Sequence, residues 1–63
     1  MKGGIPMFIS KKPVSTLEKG DYLWDKTYKY KILNVTPVTR YGKNMTRFEV
    51  KQGYVYSNKI KVS

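Results

Sequence analysis

Residues 28–38 read Tyr-Lys-Tyr-Lys-Ile-Leu-Asn-Val-Thr-Pro-Val, the longest run of strand-forming residues in the chain. The first half alternates. Tyr28, Tyr30 and Ile32 fall on one side of an extended backbone and Lys29 and Lys31 on the other, because successive strand side chains point to opposite faces. After Ile32 the parity slips: Leu33 and Val35 are apolar on the opposite phase, with Asn34 between them. A flat strand cannot bury both halves on one side. The stretch therefore predicts two half-strands joined by a bulge or bend near Leu33 and Asn34, each serving a different sheet. Pro37 has no amide donor and marks an edge or the end of the strand.

Working outward, Tyr22-Leu23-Trp24 reads as a short strand with Leu23 on the face opposite its two aromatic neighbours, and residues 25–27 turn the chain. Downstream, residues 40–44 form a hairpin loop in which Gly42 and Asn44 are the expected positive-φ positions. Thr46, Phe48 and Val50 then alternate with Met45, Arg47, Glu49 and Lys51. Gln52-Gly53 makes a tight turn, Tyr54-Val55-Tyr56 a strand with Val55 inward, residues 57–59 a break, and Ile60-Lys61-Val62 a closing strand. The expected core is Leu23, Ile32, Val35, Phe48, Val50, Val55, Ile60 and Val62. Residues 1–13 read as a loose leader with room for a short edge strand at 7–10, and residues 14–63 as the domain itself.

No helix of two turns can be placed, and turn signals recur every ~8–12 residues, the spacing of all-β sandwiches and barrels. In order and spacing, residues 14–62 resemble an SH3-like barrel. The resemblance rests on a Leu17-x-x-Gly20-Asp21 entry loop, three meandering strands, a 3₁₀-type break at residues 57–59 and a final Ile60-x-Val62 strand. It implies an all-β, five-stranded SH3-like barrel with a loose N-terminal leader. The opening Ala-Leu-Tyr-Asp-Tyr signature of peptide-binding SH3 domains is absent, so recognition of proline-rich peptides is not implied.

Composition narrows the functional classes. The chain has 63 residues and neither cysteine nor histidine, which removes disulfides, thiol nucleophiles, imidazole bases and the usual zinc ligands. No apolar run approaches the roughly 20 residues of a membrane span, and a cytoplasmic location is expected. Thirteen Lys and Arg against four Asp and Glu give a net charge of +9. That exceeds what solubility asks of a small domain and implies an anionic partner. Between residues 26 and 51 the imbalance sharpens to seven basic residues against Glu49 alone. Of the acids, Asp21 and Asp25 sit in turns, where aspartate is favoured for local backbone hydrogen bonds. No catalytic residue, metal site, cofactor or small-molecule substrate is assigned.

The aromatic residues carry more signal. Nine Phe, Trp and Tyr residues, six of them Tyr, exceed what a core this small can enclose. Strand parity sends Tyr22, Trp24, Tyr54 and Tyr56 outward and puts Lys29, Lys31, Arg47 and Lys51 on exterior faces, with Tyr41 at a loop tip between Arg40 and Lys43. Rings that stack on bases, beside cations that neutralise phosphates, are the equipment of a nucleic-acid-binding surface. Such a surface requires Trp24, Tyr54 and Tyr56 to share a face with Lys29, Lys31 and Arg47. The expectation is a non-catalytic module that binds DNA or RNA. The alternative is an interaction module that uses the same residues against an acidic surface of a host protein and modulates or inhibits it, in the manner of many small phage or prophage products. The oligomeric state is left open.

Overall fold

A computed structural model describes residues 7–26 and 28–63 of the chain. The leader expected over residues 1–6, and Thr27 of the turn at 25–27, lie outside them. The described chain is all β: β1 (Phe8–Ser10), a 3₁₀ turn (Val14–Thr16), β2 (Tyr22–Trp24), β3 (Lys29–Lys31), β4 (Asn34–Arg40), β5 (Lys43–Val50), β6 (Gly53–Tyr56), a second 3₁₀ turn (Ser57–Lys59) and β7 (Ile60–Val62). These strands make a four-stranded sheet, order β3-β2-β1-β7, and a three-stranded sheet, order β4-β5-β6. No ladder among the described residues closes the two into a barrel. Among the described residues there are seven strands where five were expected, with residues 28–38 giving β3 and β4 and residues 8–10 a strand of their own.

The division falls at Ile32 and Leu33, where the parity of the sequence slips. Ile32 is fully buried, and its backbone is held by the loop before β2: its N–H donates to the Asp21 carbonyl at 2.8 Å and its carbonyl accepts from the Gly20 N–H at 2.9 Å. One residue later the Leu33 N–H donates to the Glu49 carbonyl of β5 at 2.7 Å. Adjacent residues thus bond to different sheets. Pro37 lies inside β4 rather than at its end, opposite Thr46. β4 is an edge strand, where proline is tolerated.

Residues 8–10 are not an edge strand. β1 lies between β2, which it meets antiparallel at Ile9 and Trp24, and β7, which it meets in parallel from Phe8↔Ile60 to Ser10↔Val62. Phe8 and the fully buried Ser10 face inward. The Ser10 hydroxyl donates to the Lys12 carbonyl at 2.6 Å and accepts from the Lys12 N–H at 3.1 Å, which satisfies it locally.

The core consists of Leu17, Leu23, Ile32, Phe48, Val50, Val55 and Ile60, with Phe8, Val14, Tyr30 and Val35 packed against it. Both sheets contribute, so each gives one face to the interior. Val62 is 45% exposed at the end of the edge strand β7, not buried as expected. Leu17 takes a core place from an irregular loop that shows no strand period.

Phe48 is fully buried in the middle strand of its sheet, opposite Val35 on one side and Val55 on the other. A single core of this size supplies only about 3–5 kcal/mol, and truncating a buried phenylalanine to alanine costs about as much. Phe48→Ala is expected to abolish the thermal unfolding transition seen by circular dichroism. Phe48→Leu should retain one at lower temperature.

The loop between the first 3₁₀ turn and β2 is closed by Asp21, whose carboxylate accepts from the Lys12 ammonium at 2.9 Å and from the Glu18 N–H at 3.0 Å. The Lys12 hydrogen bond, reinforced by that from Glu18, holds the Asp21 pKa below its ordinary 3.8. With the folded value below the unfolded one, the unfolded chain binds the proton more readily. The stabilisation is therefore complete above the ordinary value and is lost as pH falls through the lowered one. Urea midpoints measured between about pH 6 and pH 3 should fall less steeply for Asp21→Asn than for the parent chain.

Candidate binding surface

On the four-stranded sheet the buried Leu23 turns Tyr22 and Trp24 outward from β2. Tyr22 lies opposite Lys31 of β3, and Trp24 opposite Lys29. Trp24 is also opposite Ile9, and Ile9 is opposite Lys61, so Lys29, Trp24, Ile9 and Lys61 make one row across the whole sheet. The Lys29 ammonium stands 4.4 Å from the Tyr22 ring centroid and that of Lys11 4.8 Å from the Trp24 centroid, both within cation–π range. No strand of this sheet contains an Asp or Glu. Its outward strand positions therefore carry lysines and no acid, with two aromatic rings under ammonium groups and Ile9 between Trp24 and Lys61.

The three-stranded sheet presents a second face of different chemistry. With Phe48 and Val55 turned inward, Arg47, Glu49, Tyr54 and Tyr56 point outward; Arg47 lies opposite Tyr56, and Glu49 opposite Tyr54. The chain has two arginines, Arg40 and Arg47. Both are on this face, and each is stacked on tyrosine. The Arg47 guanidinium carbon is 4.5 Å from the Tyr54 ring centroid, and that of Arg40 is 4.1 Å from Tyr56 and 5.3 Å from Tyr41. A planar guanidinium stacks on a ring and still presents its donor fork at the edge, which an ammonium cannot do.

The β4–β5 connection is a two-residue turn between the paired Arg40 and Lys43. Tyr41 and Gly42 both have positive φ, 54° and 72°, the pattern of a type I′ turn. Gly42 was expected to be left-handed; Asn44 was too, but it continues β5 opposite Thr39, and Tyr41 takes the second such position. A non-glycine residue in that region costs roughly 1–2 kcal/mol. The Tyr41 ring is nevertheless 83% exposed, and its hydroxyl accepts from the Arg40 guanidinium at 3.4 Å. This hydrogen bond, more than the nearby Tyr56, raises the Arg40 pKa above its usual value. Beside it opens a cleft of about 130 Å³ lined by Arg40, Tyr41, Met45, Tyr56, Asn58 and Lys59, without a carboxylate.

The acidic residues near β2 serve the backbone. Asp25 accepts from the Tyr28 N–H at 2.8 Å and from the Tyr30 hydroxyl at 2.6 Å, and the latter bond raises the Tyr30 pKa. Among the described residues no three His, Cys, Asp or Glu side chains cluster as a metal site would require, and no helix is long and apolar enough to cross a membrane.

The residues expected to form one surface are divided between two. Tyr22, Trp24, Lys29 and Lys31 lie on the four-stranded sheet; Arg40, Lys43, Arg47, Tyr54 and Tyr56 lie on the three-stranded sheet, with Tyr41 at its hairpin and Lys51 in the β5–β6 turn. Trp24 therefore does not share a face with Tyr54 and Tyr56, because each sheet spends its other face on the common core. The single stacking surface that the sequence reading required is therefore not formed, and each face has its own rings and cations. The sequence reading missed Lys11, Lys61 and Ile9 on the first face, which join it through β1 and β7. On the second it left out Met45, Asn58 and Lys59; outward parity marked Met45 and Lys59, but nothing local marked Asn58. Compared with protein family models, curated proteins and solved structures, the chain matches none.

Arg47 and Tyr54 are expected to couple in a double-mutant cycle. Urea unfolding of Arg47→Ala, Tyr54→Ala and the double variant is expected to return about 0.5–1 kcal/mol, the range of exposed cation–π pairs.

Proposed function

We propose that this protein is a non-catalytic nucleic-acid-binding module whose affinity comes chiefly from charge. The observation that carries this reading is the outer face of the four-stranded sheet, where Lys11, Lys29, Lys31 and Lys61 surround Tyr22 and Trp24 and the strands contain no carboxylate. Lysines in that arrangement replace condensed counterions along a phosphate backbone, and the rings beneath them offer stacking area. The order of strands, with a short 3₁₀ turn leading into the last one, supports an SH3-like reading of the scaffold. Contacts made by backbone charge carry no base information, so little sequence preference is expected from this face.

The test is a salt titration of oligonucleotide binding by fluorescence anisotropy. The logarithm of the affinity should fall linearly with that of the salt concentration, by roughly 0.7–0.9 per phosphate neutralised. Lys29→Ala and Lys31→Ala should each reduce the magnitude of the slope by about 1. Absence of binding to any oligonucleotide at low salt would remove the proposal.

A further inference from the structure

We propose that the cleft beside the β4–β5 turn holds one unpaired nucleotide, its base against the Tyr41 ring and its phosphate on Arg40 and Lys59. The inference rests on the nucleic-acid reading and deepens it, by naming single-stranded nucleic acid as the substrate class.

Three observations converge on this cleft. Tyr41 occupies a left-handed turn position that asparagine or glycine would fill with less strain, yet its ring is 83% exposed and so adds little to packing. Strain without a packing return is characteristic of functional positions. Next, the half-buried Arg40 is held between Tyr56 and Tyr41, so its fork is oriented before any ligand arrives. The chain uses lysine at eleven positions and arginine at two, and both arginines are stacked. Finally, about 130 Å³ lined by two cations and no carboxylate is an anion-selective space. It is well below the ~300–1,000 Å³ of pockets that enclose a whole small molecule.

Size and chemistry together select the ligand. The cleft accepts a phosphate or the edge of one ring, while the rest of the ligand must lie outside it along the exposed Tyr41. A nucleotide within a strand supplies an anion and a flat ring a few ångströms apart. A carboxylate side chain of a protein supplies the anion alone and leaves Tyr41 without a flat partner. In a duplex the base faces are already stacked on one another, so the ring can be engaged only by an unpaired base. Asn58, exposed at the rim, offers an amide donor and acceptor to a base edge.

The experiment compares the parent chain with Tyr41→Asn, Tyr41→Phe and Arg40→Lys in binding to three probes: a short single-stranded DNA, the same sequence as RNA, and the DNA duplex. Amide chemical shifts are followed for residues 40, 41, 56, 58 and 59. The parent is expected to bind one or both single strands about tenfold more tightly than the duplex, with shifts at the cleft; which strand wins assigns DNA or RNA. Tyr41→Asn should lose that preference while raising the melting midpoint by a few degrees, opposite signs that a structural role for Tyr41 would not produce. Tyr41→Phe should retain the preference, and Arg40→Lys should weaken single-strand binding with the salt slope unchanged. The inference is overturned if Tyr41→Asn binds single strands as the parent does, or if shifts appear only on Tyr22, Trp24 and their lysine neighbours. In either case Lys29→Ala and Lys31→Ala would still report on the broader reading. Failure of every probe at low salt overturns both. Capture through Tyr41 of a protein that resists nuclease, with no oligonucleotide bound, overturns the inference in favour of an acidic protein partner.

Discussion

Two consecutive backbone amides hold the molecule together. The Ile32 N–H bonds to the Asp21 carbonyl before β2 and the Leu33 N–H to the Glu49 carbonyl of β5, so the chain passes from one sheet to the other across the two residues between β3 and β4. Because Ile32 is fully buried at that point, its peptide groups need partners inside the protein, and the loop ending at Gly20 and Asp21 supplies them. The positive φ of Gly20 lets that loop turn there. The Lys12–Asp21–Glu18 contacts steady the loop that steadies the crossing.

The transfer also shapes the surface. A chain of 63 residues with nine aromatic side chains must leave several on the outside, and two sheets that share one core have two outer faces between which to divide them. Lysines accompany Tyr22 and Trp24 on one face; both arginines accompany Tyr54, Tyr56 and Tyr41 on the other. The faces are chemically unequal: one carries lysine ammonium groups, the other both guanidinium groups, with that of Arg40 beside a cleft.

Much of the fold was legible from residue order. The slip of parity after Ile32 placed the bend, the alternation around Phe48 and Val55 placed the core of the second sheet, and Gly42 marked a hairpin turn. Where the expectation failed, the missing information was nonlocal. Phe8–Ser10 read as an edge because its neighbours are residues 24 and 60–62, and no local pattern announces a parallel pairing across nearly the whole chain. Val62 has inward parity but sits at the exposed end of an edge strand, and Leu17 is buried from a loop with no period to betray it. The left-handed Tyr41 was missed because side-chain preference argues against tyrosine there, a misfit that becomes informative only once the turn is seen.

Sequence alone determined which way each side chain points along its own strand, where the long central stretch breaks, and that the surface is cationic and rich in aromatic rings. These are properties of neighbouring residues: the two-residue period of a strand, the conformational freedom of glycine, and the count of charges. The tertiary structure decided which strands lie side by side. It thereby separated Trp24 from Tyr54 and Tyr56, brought Lys11 and Lys61 to the first face, and gathered Arg40, Met45, Tyr56 and Lys59 around one cleft. Strand adjacency is set by hydrogen-bond ladders and a shared core between segments far apart in the chain. The entropy of closing such loops grows only slowly with their length, so sequence distance gives little guide to which segments will meet.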